Sequence, residues 1–197
     1  MHLIYPSLNM NEKPTSVGHV EFEQLPPAER VMAAILYFIR PFADRPEPDS
    51  HLLHLSYETV MKTFDPASPK DILPEERERL ERFLKILEEL SSRWQSLQEE
   101  INEIKAGPAL SLQDRPTVFQ LAIESDPVRA PLESQAIPAR DSDLHRQAAQ
   151  LQSEWDRLQK VIRSKYEELT SKYGEGLWTS VAKHISNTVI KDIPLDD

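Results

Sequence analysis

The chain of 197 residues contains no cysteine, and this absence excludes several kinds of site. Without thiols there is no disulfide framework, no thiolate nucleophile and no zinc centre held by sulfur. Glycine is also scarce, with only 4 residues. Few glycines disfavour both phosphate-cradling loops and a β fold rich in tight turns. These absences favour a helical protein without such loops.

Positive charge and long apolar runs are limited as well. Lysine and arginine total 23 against 33 aspartates and glutamates, so the formal net charge is −10. Proteins that bind nucleic acids or anionic membranes usually present a basic face, so we predict neither partner. The longest apolar run, residues 31–39, is far shorter than the roughly 20 residues that span a bilayer. We expect a cytoplasmic protein, with export lacking a cleaved signal peptide and a nuclear assembly left open.

Helical periodicity is what the sequence has in abundance. From Leu80 to Ile104 and again from Leu144 to Ile162, apolar residues recur at steps of three and four, which is the core pattern of a coiled coil. The second stretch continues to Leu169 but loosens at Lys165, where Tyr166 is the apolar neighbour instead. We predict that the two stretches pair as an antiparallel hairpin, although pairing between chains is the alternative. The predicted register places Trp94 opposite Trp155. The core positions are Leu80, Phe83, Leu87, Leu90, Trp94, Leu97, Ile101 and Ile104, then Leu144, Ala148, Leu151, Trp155, Leu158, Ile162 and Leu169.

The predicted fold class is all-α, with a helical-bundle base, a long antiparallel coiled-coil hairpin and an irregular, proline-rich apical insertion. Prolines break the chain between periodic segments, and glycine or proline follows the long ones. The predicted regions are an extended arm (1–25), a base (26–90 with 158–192), a coiled-coil rod (91–106 with 141–157) and an apical loop (107–140).

Four shorter patterns refine this organisation. Val20 and Phe22 alternate with polar residues, which predicts a short strand in the arm. A helix over Ala28–Arg40 is apolar around almost its whole circumference, so we expect it at the centre of the core. A helix over His51–Phe64, capped by Asp49 or Ser50, should pack beside it. A last short helix, Leu177–Lys191, should fold back on the base.

Four residues are candidates for partner binding. Phe119, Leu121 and Ile123 form an apolar island inside the proline-rich segment. The island has three interpretations: a strand beside the arm, a short motif that docks on another protein, or a segment folded back on the rod as packing. We predict a recognition site that contributes little to stability, because prolines surround it at the far end of the rod. Trp178, beside the inner face of the last helix, is the fourth candidate, as an interface anchor.

The sequence offers little active-site chemistry. His51, His54 and Glu58 would share one face of a helix, and two histidines with a carboxylate can hold zinc, but HEXXH is absent and no further ligand is evident. Glutamate pairs on the long helices fall beside core positions, which indicates solvated flanks. The pairs are Glu75–Glu76, Glu88–Glu89, Glu99–Glu100 and Glu167–Glu168. We therefore predict no catalytic residue, no metal, no cofactor and no enzymatic activity.

The predicted function is that of a non-enzymatic interaction or scaffolding subunit, bound to protein partners in a hetero-complex or a homo-oligomer. A helical base with a projecting hairpin resembles, in architecture only, type III secretion tip proteins and subunits of spindle or kinetochore assemblies. The alternatives are an exported effector or secretion-apparatus component, and a helical metal-dependent enzyme built on the histidines and carboxylates.

Overall fold

A computed structural model describes residues 20–48, 55–105, 116–124 and 139–191, which are mostly helical and contain no strand. This confirms the all-α class. No helix within these ranges combines the length and apolarity that a bilayer crossing requires. The helices are α1 (Pro27–Ile39), α2 (Tyr57–Phe64), α3 (Pro74–Lys105), α4 (Val118–Glu124), α5 (Ala139–Tyr173) and α6 (Gly176–Lys191).

Helix α1 lies at the centre of the fold, as its composition predicts. Pro27 occupies the first turn, where a missing N–H group costs no hydrogen bond. The helix packs against α2, α3, α5 and α6, so nearly every face of it meets another helix. The side chains that are 0% exposed are Val31, Ala33, Ala34, Ile35, Leu36 and Ile39.

The predicted strand at Val20 and Phe22 is wrong. Residues Phe22–Gln24 form a 3-10 turn, which brings Phe22 and Leu25 to the same side of the chain, and both side chains are buried. The backbone N–H of Phe22 donates to Ser180 Oγ on α6 at 2.7 Å. The Phe22 N–H therefore bonds a side chain of α6, whereas in a sheet it would bond the backbone of a neighbouring strand.

The second helix begins later than predicted. Leu55 and Ser56 are not helical, and the Ser56 hydroxyl caps the helix by accepting from the Thr59 N–H at 3.1 Å. The predicted caps, Asp49 and Ser50, lie outside the described residues. Helix α2 ends where Asp65 adopts a left-handed conformation with φ of 36°.

Helices α3 and α5 lie side by side and antiparallel. Arg93 donates to Glu154 at 2.7 Å, and residues further toward the start of α3 lie beside residues further toward the end of α5. The predicted register places position 156 opposite Arg93, two residues from its observed partner. Helix α5 ends at Tyr173, and Gly174, with φ of 82°, turns the chain into α6.

Candidate interaction surface

The α3–α5 pair has one side covered by the rest of the chain. On α5 this side is held to residues 42–46 by donors that reach main-chain carbonyls. The Arg45 carbonyl oxygen accepts from Trp155 Nε1 at 3.1 Å and from Gln159 Nε2 at 2.7 Å. Arg163 donates to the Ala43 carbonyl at 2.8 Å. We call this the covered side.

Helix α4 extends the covered side toward the far end of the pair. Val118 and Leu121 are 0% exposed, and α4 packs against both α5 and α3. The amide of Gln98 on α3 ties down the start of α4. Its Nε2 donates to the Pro116 carbonyl at 3.1 Å, and its Oε1 accepts from the Val118 N–H at 2.9 Å. The apolar island is therefore helical and folded back on the pair, which is the third of its three interpretations.

The base of the covered side is closed by aromatic packing. The rings of Tyr166 and Trp178 stack with centroids 3.9 Å apart and planes 7° from parallel. Trp178 Nε1 donates to Thr170 Oγ1 at 2.8 Å, and Arg40 lies over the Tyr166 ring. Burial raises the pKa of the Tyr166 hydroxyl. These contacts join α6 and the end of α1 to α5.

The opposite side of the pair carries a groove that no described residue fills. Two adjoining hollows of about 380 and 310 Å³ share Arg93 and run from Ile86 to Glu100 on α3. At 1.5 Å per residue this stretch is about 21 Å long. Ile86 and Val161 are 48% and 46% exposed, which is unusual for large apolar side chains at neighbouring positions. We call this surface the open groove; its floor is formed by Leu90, Leu97, Leu151 and Leu158.

The walls of the open groove carry both signs of charge. Arg93 Nη1 and Nη2 donate to the two carboxylate oxygens of Glu154 at 2.7 and 3.3 Å. This bidentate bond lowers the pKa of Glu154, against a smaller opposing effect of burial. Glu89 and Arg157 line the same hollow at the next level. Each wall of the groove thus carries both an acid and a base.

The four predicted partner-binding residues fall in two places. Leu121 is fully buried against the pair, whereas Phe119 and Ile123 keep part of their surface outside. Trp178 is 8% exposed because its ring packs on Tyr166. The structure brings Phe119, Leu121 and Ile123 together on α4 and places Trp178 on α6. Their role in binding a partner stays a prediction.

A polar cluster joins the segment before α1 to α6. Nδ1 of His184 lies 3.0 Å from Glu23 Oε1, and its Nε2 lies 3.3 Å from the Phe64 carbonyl. A hydrogen bond from its own backbone N–H, then one from His184, lowers the pKa of Glu23. Ser180 Oγ donates to Glu21 at 3.0 Å and does not bond the imidazole. Because Ser180 Oγ also accepts from the Phe22 N–H at 2.7 Å, these bonds tie the segment before α1 to α6.

The metal hypothesis falls largely outside the described residues, since His51 and His54 lie there. Within the described part of the chain, no group of three or more histidine, aspartate or glutamate side chains is close enough to hold a metal ion. Glu58 is exposed on α2.

The sequence interpretation missed the open groove because it did not distinguish the two flanks of the predicted core positions. The signal lies one residue away from those positions: Ile86, Arg93 and Glu100 recur every seven residues on α3. Leu84, Ser91 and Gln98 recur with the same spacing on the other flank. The first set is exposed and the second is buried or half-buried.

Comparison of the chain with protein-family models, curated proteins and solved structures found no match.

Proposed function

We propose that this protein is a non-enzymatic interaction subunit of a larger, cytoplasmic assembly, in which α3 and α5 form an antiparallel coiled-coil hairpin offered to protein partners. The proline-rich insertion at 107–140 carries a second contact surface on the outer face of α4. The observation that carries the proposal is the open groove. It leaves Ile86 and Val161 about half exposed between charged walls, although the other side of the same helices is covered.

The composition of this surface suits a protein partner. Apolar side chains framed by charged ones are typical of interfaces that form between folded proteins, where the apolar centre is buried and the charges set the orientation. The acidic chain and the mixed charges of the groove disfavour a nucleic acid, which would require a basic stripe.

Affinity capture from the native organism tests the proposal, with the full chain as bait. One bait changes the groove (Ile86→Lys with Val161→Lys) and another changes the outer face of α4 (Phe119→Ala with Ile123→Ala). Leu73→Lys is the matched control, because Leu73 is exposed (60%) and does not line the groove. Deleting residues 107–140 would be a poorer test, since removing α4 uncovers the apolar surface that Val118 and Leu121 bury.

We expect the unchanged bait and the control to retain the same protein, and at least one of the surface variants to lose it. Retention by all four baits, or no specific retention by any, would contradict the proposal. Circular dichroism of each bait must show the same helix content, so that loss of capture reports loss of a surface.

A further inference from the structure

In the hollow between Ile86 and Arg93, the two walls of the open groove match each other at three successive levels. Ile86 on α3 lies at the level of Val161 on α5, and both are apolar. Arg93 is bonded to Glu154, its opposite in charge. Between these levels, Glu89 on α3 faces the groove with Arg157 on α5. The α3 wall is therefore the complement of the α5 wall at each of the three levels.

A surface of this kind is complementary to itself. A two-fold axis parallel to α3 and α5 places the α3 wall of one copy on the α5 wall of the other, at the same level. Apolar Ile86 then meets apolar Val161 of the second copy, and Arg93 meets Glu154 of the second copy. From this match we propose that the open groove binds a second copy of this chain, forming a four-helix arrangement around that axis. The inference rests on the proposed function, because it names the partner of the hairpin.

The charges also select this symmetry over the alternative one. Around the parallel axis, Arg93 and Glu154 of the two copies form a ring of four charges in which unlike neighbours are adjacent. A two-fold axis perpendicular to the helices would instead stack each wall on itself in reverse, so that Ile86 meets the Glu100 end. That pairing buries an apolar side chain against a carboxylate, which is unfavourable. A partner of one charge sign would meet repulsion on either wall.

The test uses purified full-length protein and two charge reversals. Arg93→Glu gives a chain with two acids at this level, and Glu154→Arg gives a chain with two bases. In a pair of identical variants, all four side chains of the ring carry the same sign. In a mixed pair, each acid again faces a base across the interface. Sedimentation velocity over a concentration series measures the association. The buffer has physiological ionic strength, at which the Debye length is about 8 Å, so the repulsion between two chains of net charge −10 is screened.

We expect the unchanged chain to dimerise with rising concentration. Each reversal alone should weaken dimerisation by about tenfold or more, as expected for close charge pairs across an interface. Mixing the two variants should restore a dimer that contains one copy of each, identified by a mass tag on one variant. Leu73→Lys should dimerise like the unchanged chain.

Several outcomes overturn the inference. They are an unchanged chain that stays monomeric at its solubility limit, a dimer that neither reversal weakens, and a mixture that does not recover. If the chain is monomeric but loses a captured protein when Ile86 and Val161 become lysine, the groove belongs to a different protein. In that case the self-association inference fails and the proposed function stands. If the chain dimerises but captures no other protein, the self-association inference stands and the proposed function fails.

Discussion

The two sides of the α3–α5 pair flank the same row of buried apolar side chains, but their polar side chains bond different groups. On the covered side, the side chains of Gln98, Trp155, Gln159 and Arg163 donate to main-chain carbonyls of segments folded over the pair, and Gln98 Oε1 accepts from a main-chain N–H. In the open groove, charged side chains such as Arg93 and Glu154 bond each other. A carbonyl of a segment that is folded against the pair has lost its bound water and needs a hydrogen-bond donor, whereas exposed charged side chains keep their hydration.

The difference teaches where stability and where recognition should lie. Contacts on the covered side remove apolar surface and backbone groups from water, so each of them should contribute to the free energy of unfolding. Exposed ion pairs contribute about 0–1 kcal/mol, so the open groove should contribute little to folding. Substitutions on the covered side should therefore lower the free energy of unfolding, whereas substitutions in the open groove should mainly weaken partner binding.

The largest expected effect comes from a charge placed in the core around α1. Ile35→Asp puts a carboxylate at a position that is 0% exposed, between α1 and its neighbours. The cost is several kcal/mol, comparable to the whole stability of about 5–15 kcal/mol for a domain. We expect loss of the cooperative melting transition in circular dichroism. Ile86→Asp in the open groove should still melt cooperatively, and an unaffected Ile35→Asp would break the comparison.

The next effect concerns the apolar island on α4. Because Leu121 is 0% exposed, Leu121→Ala should cost about 2–5 kcal/mol and lower the melting temperature by many degrees. This replaces the expectation from sequence that the island contributes little to stability. Ile86→Ala in the groove should change the free energy of unfolding by less than about 0.5 kcal/mol. Equal losses for the two variants would mean that both sides are packed.

A smaller effect should follow from the amide that holds the start of α4. Gln98→Ala leaves the Val118 N–H and the Pro116 carbonyl without the bonds they make to Gln98. We expect a loss of about 1–3 kcal/mol in urea unfolding. Gln95→Ala is the matched control, because its amide bonds only exposed Glu99 on the same helix. If both substitutions cost the same, Gln98 does not fasten α4.

The smallest effect should be the pH dependence of the open groove. The pKa of Glu154 is lowered in the folded state, so its contribution is present above the unfolded pKa of about 4.3 and is lost as pH falls through the folded value. Arg93→Gln removes the main cause of that shift. The variant should therefore lose less melting temperature than the unchanged chain between about pH 5 and 3. A larger loss in the variant would contradict the assignment.

Much of the fold follows from the sequence because strong signals bound the long helices. The sequence predicts α1 at Ala28–Arg40, α3 from Pro74 to about Ala106 and α5 from about Ser142 to Tyr173. These limits differ from the observed ones by at most three residues, since prolines and glycines mark several of the ends. The start of α2 was missed because Ser56, and not an earlier residue, accepts the capping bond. The island was missed as a helix because its alternation is too short to separate a strand from a buried helical turn.

The open groove could be predicted only in part. The two heptad flanks of α3 differ in composition, but Ile86 and Val161 are ordinary apolar residues in the sequence, and their spacing does not show that this flank of the α3–α5 pair stays uncovered. That choice depends on where residues 42–46 and α4 lie, which the contacts of Gln159 and Gln98 with distant backbone groups decide. Such long-range bonds leave no periodic pattern.

The placement of the tryptophans gives the chain its own optical reporters. All three of its tryptophans are at most 8% exposed, so each indole should emit at a shorter wavelength when its surroundings are closed than when water reaches it. Trp155 is bonded to the segment at Arg45, and Trp178 is stacked where α6 meets α5. Chains that keep one tryptophan and carry phenylalanine at the other two positions would show by fluorescence whether that segment or α6 detaches first.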